Sequence, residues 1–270
     1  MDIPTRQTAV AGRFYPSDPE ILCRDVEGYL SVGRTSQKII GCLVPHAGYI
    51  YSGGVAGAVY SAIEVPKCCL VLCPNHTGKG KALAIMSRGA WETPLGPVAI
   101  DAELADALRA QYPLLTEDFE AHRGEHSIEV QLPFMLLKNP AVTFVPIALG
   151  TRQFEILEQL GVAVGEVLKR QTKPVLIIAS SDMNHYESDP ITREKDHKAI
   201  EQILALDPAG LFEVVIREQI SMCGFGPTVV MLTAAKRLGA KSAELIKYVT
   251  SGDVSGDRSM VVGYAGIVVC

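Results

Sequence analysis

The chain has 270 residues, 48% of them hydrophobic and 20% charged, and a formal net charge of −5. That apolar content builds a substantial core, and with no basic run longer than a pair the sequence carries no electrostatic footprint for nucleic acid. No apolar run approaches the roughly 20 residues that span a bilayer, and the opening "MDIPTRQTAV" lacks the features of a signal peptide, so a cytoplasmic protein with no membrane partner is expected.

In chain order, "SDPEILCRDVEGYL" predicts an amphipathic helix: Ser17 and Glu20 have capping-box spacing, Pro19 sits in the first turn, and Leu22, Val26, Tyr29 and Leu30 share a face. "KIIGCLV" (38–44) is a short, almost wholly apolar strand of the kind covered on both faces. It ends at Pro45, and His46 follows in the loop. "GGVAGAVYSAIEV" is rich in small residues and reads as a helix lying close on a sheet. "CCLVLC" (68–73) is the next strand, broken at Pro74, with His76 two residues on. The spacing of His46 and His76 is about that of one βαβ unit.

"KALAIMS" and "GPVAID" predict shorter strands around Trp91, the single tryptophan, and Asp101 caps a helix over "DAELADALRAQ". "EHSIEVQLPFMLLK" has helical spacing, with Pro133 expected to kink it. A strand "VTFVPIALG" and a helix "FEILEQLGVAVGEVLKR" follow. "PVLIIAS" is the third strand of the same type, and its loop delivers Asp182 and His185. Helices over "ITREKDHKAIEQILAL", the Asp207-capped "DPAGLFEVVIRE" and "PTVVMLTAAKRLG" precede two closing strands, "AELIKYVT" and "MVVGYAGIVV". Strands alternating with helices, and no linker or repeat, predict one α/β domain over residues 1–270, with a central, largely parallel sheet flanked by helices.

In open α/β sheets ligands bind beyond the carboxyl ends of the strands. His46, His76, Asp182 and His185 all follow such an end, so one shared site is expected. Two histidines and an anionic ligand suit non-haem Fe(II), and they suit zinc when water fills the remaining position. The anionic ligand is Asp182, a glutamate or Cys223, which lies in the glycine-rich "SMCGFGP". The chain has seven cysteines and no C-x-x-C pair, and those inside apolar runs read as buried thiols. Tyr49 is a candidate pocket wall. His126 is another pocket candidate, with Glu129 placed to orient it on a helical face. "HRGEH" (122–126) has the H-x-x-E-H form of a zinc peptidase, but Gly124 weakens the single helix that motif requires. Walker, dinucleotide-binding and nucleophile-elbow spacings are all missing.

Taken together, "AVAGRFYP", "PHAGYIYSG", "PNHTG", "WETPLG", "EHSIEVQLPF", "SSDMNH", "MCGFGP" and "SGDVSGD" with "VVGYAG" resemble the Memo-like proteins, whose prokaryotic members are often labelled AmmeMemoRadiSam system protein B. The resemblance runs from about residue 8 to about residue 268. It implies a fold similar to the class III extradiol dioxygenases, which use non-haem Fe(II). It also implies a metal held by His46, His76 and Cys223, with His185 as acid–base residue and Asp182 lining the same pocket, where Asp182 is expected to orient His185. Those dioxygenases have a glutamate as third ligand, where Cys223 stands here. The implied function is a metal-binding protein with dioxygenase-like redox activity on a small, diol-containing substrate, with Fe(II), copper or zinc as the metal. Two alternatives stand beside it: a non-catalytic module that binds a peptide or protein in the same pocket, and a zinc-type hydrolase.

Overall fold

Every residue of strand Cys68–Pro74 is buried, and successive side chains enter two different cores. Cys69, Val71 and Cys73 pack with Val44, Tyr60 and Phe134 on one face. Leu70 and Leu72 pack with Ile147, Leu160 and Val230 on the other. This is the two-residue alternation of a pleated strand with apolar cover on both sides. The computed structural model describes residues 4–30 and 39–270, and Lys38, at the start of the first predicted strand, lies outside them.

Five strands form the parallel heart of the sheet, in the spatial order Val98–Ile100, Thr143–Leu149, Cys68–Pro74, Val175–Ser180, Gly41–Val44. Strand Val261–Val269 closes one side, running antiparallel to Gly41–Val44 and to Ala243–Thr250. This is the expected single α/β domain, with helices on both faces of a mainly parallel sheet. Register places the strand ends together: Val44 pairs with Ser180, and Leu72 with Ala179. The loops bearing His46, His76 and Asp182 therefore leave the sheet side by side.

Local chemistry explains where the elements depart from expectation. The first helix, Pro19–Tyr29, is capped by Asp18 in place of Ser17; its carboxylate accepts from the Glu20 and Ile21 amides at 3.0 Å each. Pro133 does not kink a helix. A 3-10 turn over Glu129–Gln131 passes into helix Leu132–Lys138, and Pro133 sits in the first turn of that helix, where its missing amide costs nothing. The helix expected from Pro227 begins at Phe225. The final loop contains a helical turn, Gly252–Ser255. Cys42, Cys68, Cys69 and Cys73 are free and buried. Among the described residues no helix is long and apolar enough to cross a membrane.

Helix Tyr49–Ala62 lies close to its neighbours because its glycines have no side chain. A methyl group on Gly57 would overlap the Tyr29 carbonyl, while one on Gly28 would meet nothing within 4 Å. Gly57→Ala is expected to destabilise the protein by about 1–3 kcal/mol through overpacking. Gly28→Ala is expected to stabilise it by roughly 0.5–1 kcal/mol through helix propensity. Urea unfolding of the two variants checks both signs.

Candidate metal centre

His46 leaves its strand two residues beyond Val44, and its backbone amide donates to Asp182 Oδ1 at 2.7 Å. Its ring Nδ1 lies 3.0 Å from Ser180 Oγ. The Ser180 hydroxyl donates to the Ser127 carbonyl at 2.7 Å and accepts from Gln131 Nε2 at 3.0 Å, so toward His46 it acts as acceptor. Nδ1 of His46 therefore carries the hydrogen. The lone pair is on Nε2, which faces Cys223 Sγ at 3.2 Å.

His76 reaches the same tautomer by another route. Its amide donates to Glu125 Oε2 at 2.6 Å and its Nδ1 to Glu125 Oε1 at 2.9 Å. A carboxylate only accepts, so Nδ1 of His76 carries the hydrogen, and in the neutral ring Nε2 keeps its lone pair. His185 makes the third case: its Nδ1 donates to the Ser221 carbonyl at 2.9 Å, and its amide to Ser221 Oγ at 2.7 Å. Ser221 is held in turn by Asn184 Oδ1, and the Asn184 amide by the buried carboxylate of Asp196, which also accepts from Tyr248 Oη at 2.7 Å.

These loops surround a cavity of about 620 Å³ lined by Phe14, His46, His76, His126, Asp182, His185, Tyr186, Cys223 and Tyr264, among others. The rings of His46 and His76 are 5.2 Å apart, and His126 stacks on His76 at 4.8 Å. One ligand atom each from His46, His76 and Cys223 lies within 4.8 Å of the others, so this set could hold a metal ion. Its chemistry fits such an ion: two imidazoles with preset lone pairs and one thiol near the amino end of helix Phe225–Arg237. His76, Glu125 and His126 are equally close to one another. Glu125 Oε1, however, already accepts from His76, the His126 amide, and the amide and hydroxyl of Ser127. Glu125 Oε1 is thus fully committed, and the carboxylate serves to orient His76.

Burial, then the neighbouring imidazoles, holds His46 well below the usual histidine range, so it is neutral and able to ligate. Burial would lower His76 too, but the hydrogen-bonded Glu125 carboxylate raises it. Glu125 itself is held at about 2, against burial, chiefly by His76. Burial pushes Asp182 up to about 7 in spite of the amides it accepts. The Cys223 thiol is pushed up by burial and by Asp182, so it keeps its proton until a cation replaces it.

Residues 6–268 match the family described as "Memo-like protein". The chain belongs to the Memo-like family. A MEMO1 family protein of Methanopyrus kandleri is 44% identical over 277 residues, covering 97% of this chain and 98% of that protein. One of Pyrobaculum arsenaticum is 41% identical over 275 residues, with 97% and 98% covered. A crystal structure of an uncharacterized protein from Escherichia coli K12 superposes with a TM-score of 0.57 at 12% identity, over 86% of this chain and 100% of that one, which shows a shared fold.

Three expectations need correction in this Memo-like chain. Tyr49 lines the groove beside this cavity and not the cavity itself: it opens the helix after Gly48, packs on Tyr15, Tyr29 and Phe134, and donates to the Val130 carbonyl at 2.7 Å. Asp182 holds the His46 backbone, and the partner of His185 is Ser221. Glu129 does not orient His126. It accepts from Arg6 Nη1, the Ala9 and Val10 amides and Tyr15 Oη, at 2.7 to 3.0 Å. "HRGEH" is split at Gly124, which ends the short helix Glu120–Arg123. His122 is buried beside the Trp91 ring, while His126 faces the cavity.

The Arg6–Glu129 pair is fully buried and clasps the N-terminal arm to the site. Arg6 also donates to the carbonyls of His122 and Glu125, and its guanidinium lies 4.0 Å from the Trp91 ring centre. The clasp thus fixes the backbone of the residue that orients His76, and it carries Phe14 to the cavity. Sequence periodicity gives no hint of it. The usable signal was a set of polar residues, Glu125, Ser127, Glu129 and Gln131, inside an otherwise apolar stretch.

Glu129→Gln leaves Arg6 buried without its counter-charge and is expected to cost about 3–5 kcal/mol in urea unfolding. Burial pushes the Asp196 carboxyl up to about 7. A carboxyl raised in the folded state contributes stability that is present below about pH 4 and lost as pH rises to about 7. The stability of the wild type relative to Asp196→Asn should therefore fall over that window and level off above it. Unfolding midpoints of both proteins across the pH range check this.

Proposed function

We propose that the pocket binds one non-haem metal ion, Fe(II) first, with copper and zinc as competitors, and performs a dioxygenase-like redox reaction on a small diol-containing substrate. One observation supports this above the others: three imidazoles that line a single cavity commit Nδ1 to hydrogen bonds and leave Nε2 for a ligand, two of them beside a thiol. A metal held by His46, His76 and Cys223 would supply Lewis acidity and, if iron or copper, a redox couple. The resemblance to the extradiol dioxygenases favours iron, whereas a thiolate donor draws the site toward copper and zinc.

The remaining roles belong to the chain itself. His185 Nε2 is a base able to take a proton from a substrate hydroxyl, while Ser221 keeps the hydrogen on Nδ1. Asp182, whose carboxyl burial holds above the usual carboxylate range, lies on the same wall and could receive that proton. Phe14 and Tyr264 give the cavity part of its apolar wall. A second reading draws on an adjoining groove of about 670 Å³, lined by Arg13, Tyr29, Ile50 and Tyr51 among others, which shares Phe14 and Gly48 with the pocket. It provides room for a longer ligand, a peptide or protein segment, bound without turnover. The donor set itself favours a third, a zinc-type hydrolase, which would work without oxygen.

Elemental analysis of anaerobically purified protein is the test. Stoichiometric iron or copper, lost in a His46→Ala, His76→Ala double variant, is the expected result, and folded wild-type protein free of metal would sink the proposal. His185→Gln should keep its metal and lose roughly 100-fold in kcat for oxygen uptake with catechols. Turnover with zinc alone, indifferent to oxygen, would favour the hydrolase.

A further inference from the structure

The backbone that aims His185 belongs to no helix or strand. Ser221 lies between helix Pro208–Arg217 and helix Phe225–Arg237, outside both. Its amide donates to a side chain, Asn184 Oδ1, at 3.0 Å. Its hydroxyl is 3.0 Å from the same oxygen, nearer than the His185 carbonyl at 3.3 Å. The Ser221 carbonyl in turn accepts from His185 Nδ1 at 2.9 Å, and Ser221 Oγ from the His185 amide at 2.7 Å. Asn184 thus acts on its own neighbour in the chain through a residue 37 positions away.

The Asn184 amide can sit only one way round. Oδ1 faces the Ser221 N–H, which only donates, and Nδ2 faces the Glu187 carboxylate at 2.7 Å, which only accepts. Glu187 is itself paired with Lys195 at 2.7 Å. The backbone of Asn184 is pinned as well: its N–H donates to Asp196 Oδ1 at 2.8 Å, and its carbonyl accepts from the Gly263 amide at 2.9 Å. Every polar atom of this buried residue is engaged, and its side-chain oxygen serves Ser221 alone.

A neutral histidine free in water favours the hydrogen on Nε2, so the opposite tautomer needs an acceptor fixed at Nδ1. We infer that Asn184 is a positioning residue: by fixing the Ser221 carbonyl it holds the His185 hydrogen on Nδ1 and leaves Nε2 as the basic atom. This rests on the reading of His185 as the base, and it names the residue on which that role depends.

The test is imidazole nitrogen NMR on the full chain with isotope-labelled histidine, at about pH 8, where an ordinary histidine is neutral. Metal-free and zinc-loaded samples are both read, because zinc is diamagnetic, and His185→Gln assigns the signals. Wild type should carry the His185 hydrogen on Nδ1. Asn184→Leu keeps most of the volume and removes the acceptor; in it Nε2–H is expected to become the main form of His185, with His46 unchanged. The double variant Asn184→Asp, Glu187→Gln exchanges amide and carboxylate, preserves the net charge and an acceptor for Ser221, and should keep the wild-type tautomer. Nδ1–H retained in Asn184→Leu overturns the inference, as does an equal change at His46, which would mark general loosening. Nε2–H in the exchange variant also overturns it, and does so even if Asn184→Leu fails to fold. Wild type that takes up no metal yet keeps Nδ1–H on His185 overturns the metal centre and leaves the positioning role standing. Wild type with Nε2–H on His185 overturns this inference and the base role together.

Discussion

Three histidines in this pocket give their Nδ1 hydrogen to an oxygen with no hydrogen to offer in return. Glu125 is a carboxylate, the Ser221 acceptor is a backbone carbonyl, and Ser180 has already committed its hydroxyl hydrogen to Ser127. The consequence is geometric and electronic at once, because each Nε2 lone pair is fixed in direction and available. What differs is the company each keeps. His46 and His76 have the Cys223 thiol within ligand distance, and His185 is placed beside an aromatic rim. The same ring atom can therefore serve as a ligand in one position and as a base in another.

A buried polar network of this kind is worthwhile only if every member is satisfied. Gln131 shows how far the requirement reaches. Its amide nitrogen donates to the Pro45 carbonyl and to Ser180, and its oxygen accepts from Tyr60. The reversed amide would set two oxygens against each other at Pro45, so the orientation is determined. On the opposite side of the pocket, Glu125 depends on a loop whose backbone is tied down by Arg6. Residues from the N-terminal arm, the central loop and the third strand end thus cooperate to hold two rings.

Much of this was legible in the sequence, and the boundary is instructive. Strands such as Cys68–Pro74 announce themselves by apolar runs that stop at proline, and His46, His76 and Asp182 follow from the rule that loops at carboxyl ends meet. Helix caps at Asp101 and Asp207 were readable because a cap is a local bond. Tyr49 misled because a residue three places after His46 could face the cavity or the core, and only the helix start at Gly48 decides between them. Arg6 with Glu129, 123 residues apart, and Gln131 with Ser180, 49 apart, leave no periodic trace. The orienting groups were hidden because they are long-range polar contacts, whereas sequence patterns report local geometry and burial.

Separation along the chain also governs when the centre can exist. Cys223 and His46 are 177 residues apart, and His76 is 49 from the carboxylate that aims it. An unfolded chain has no pair of these donors close enough to chelate, unlike a C-x-x-C segment, which grips a metal before it folds. Loop-closure entropy for the whole domain must be met first, so an ion bound there could not act as a folding nucleus. It would join a finished scaffold and bind the native state alone. Its stabilising effect would then follow the free metal concentration logarithmically, and resistance to heat would become a readout of metal supply.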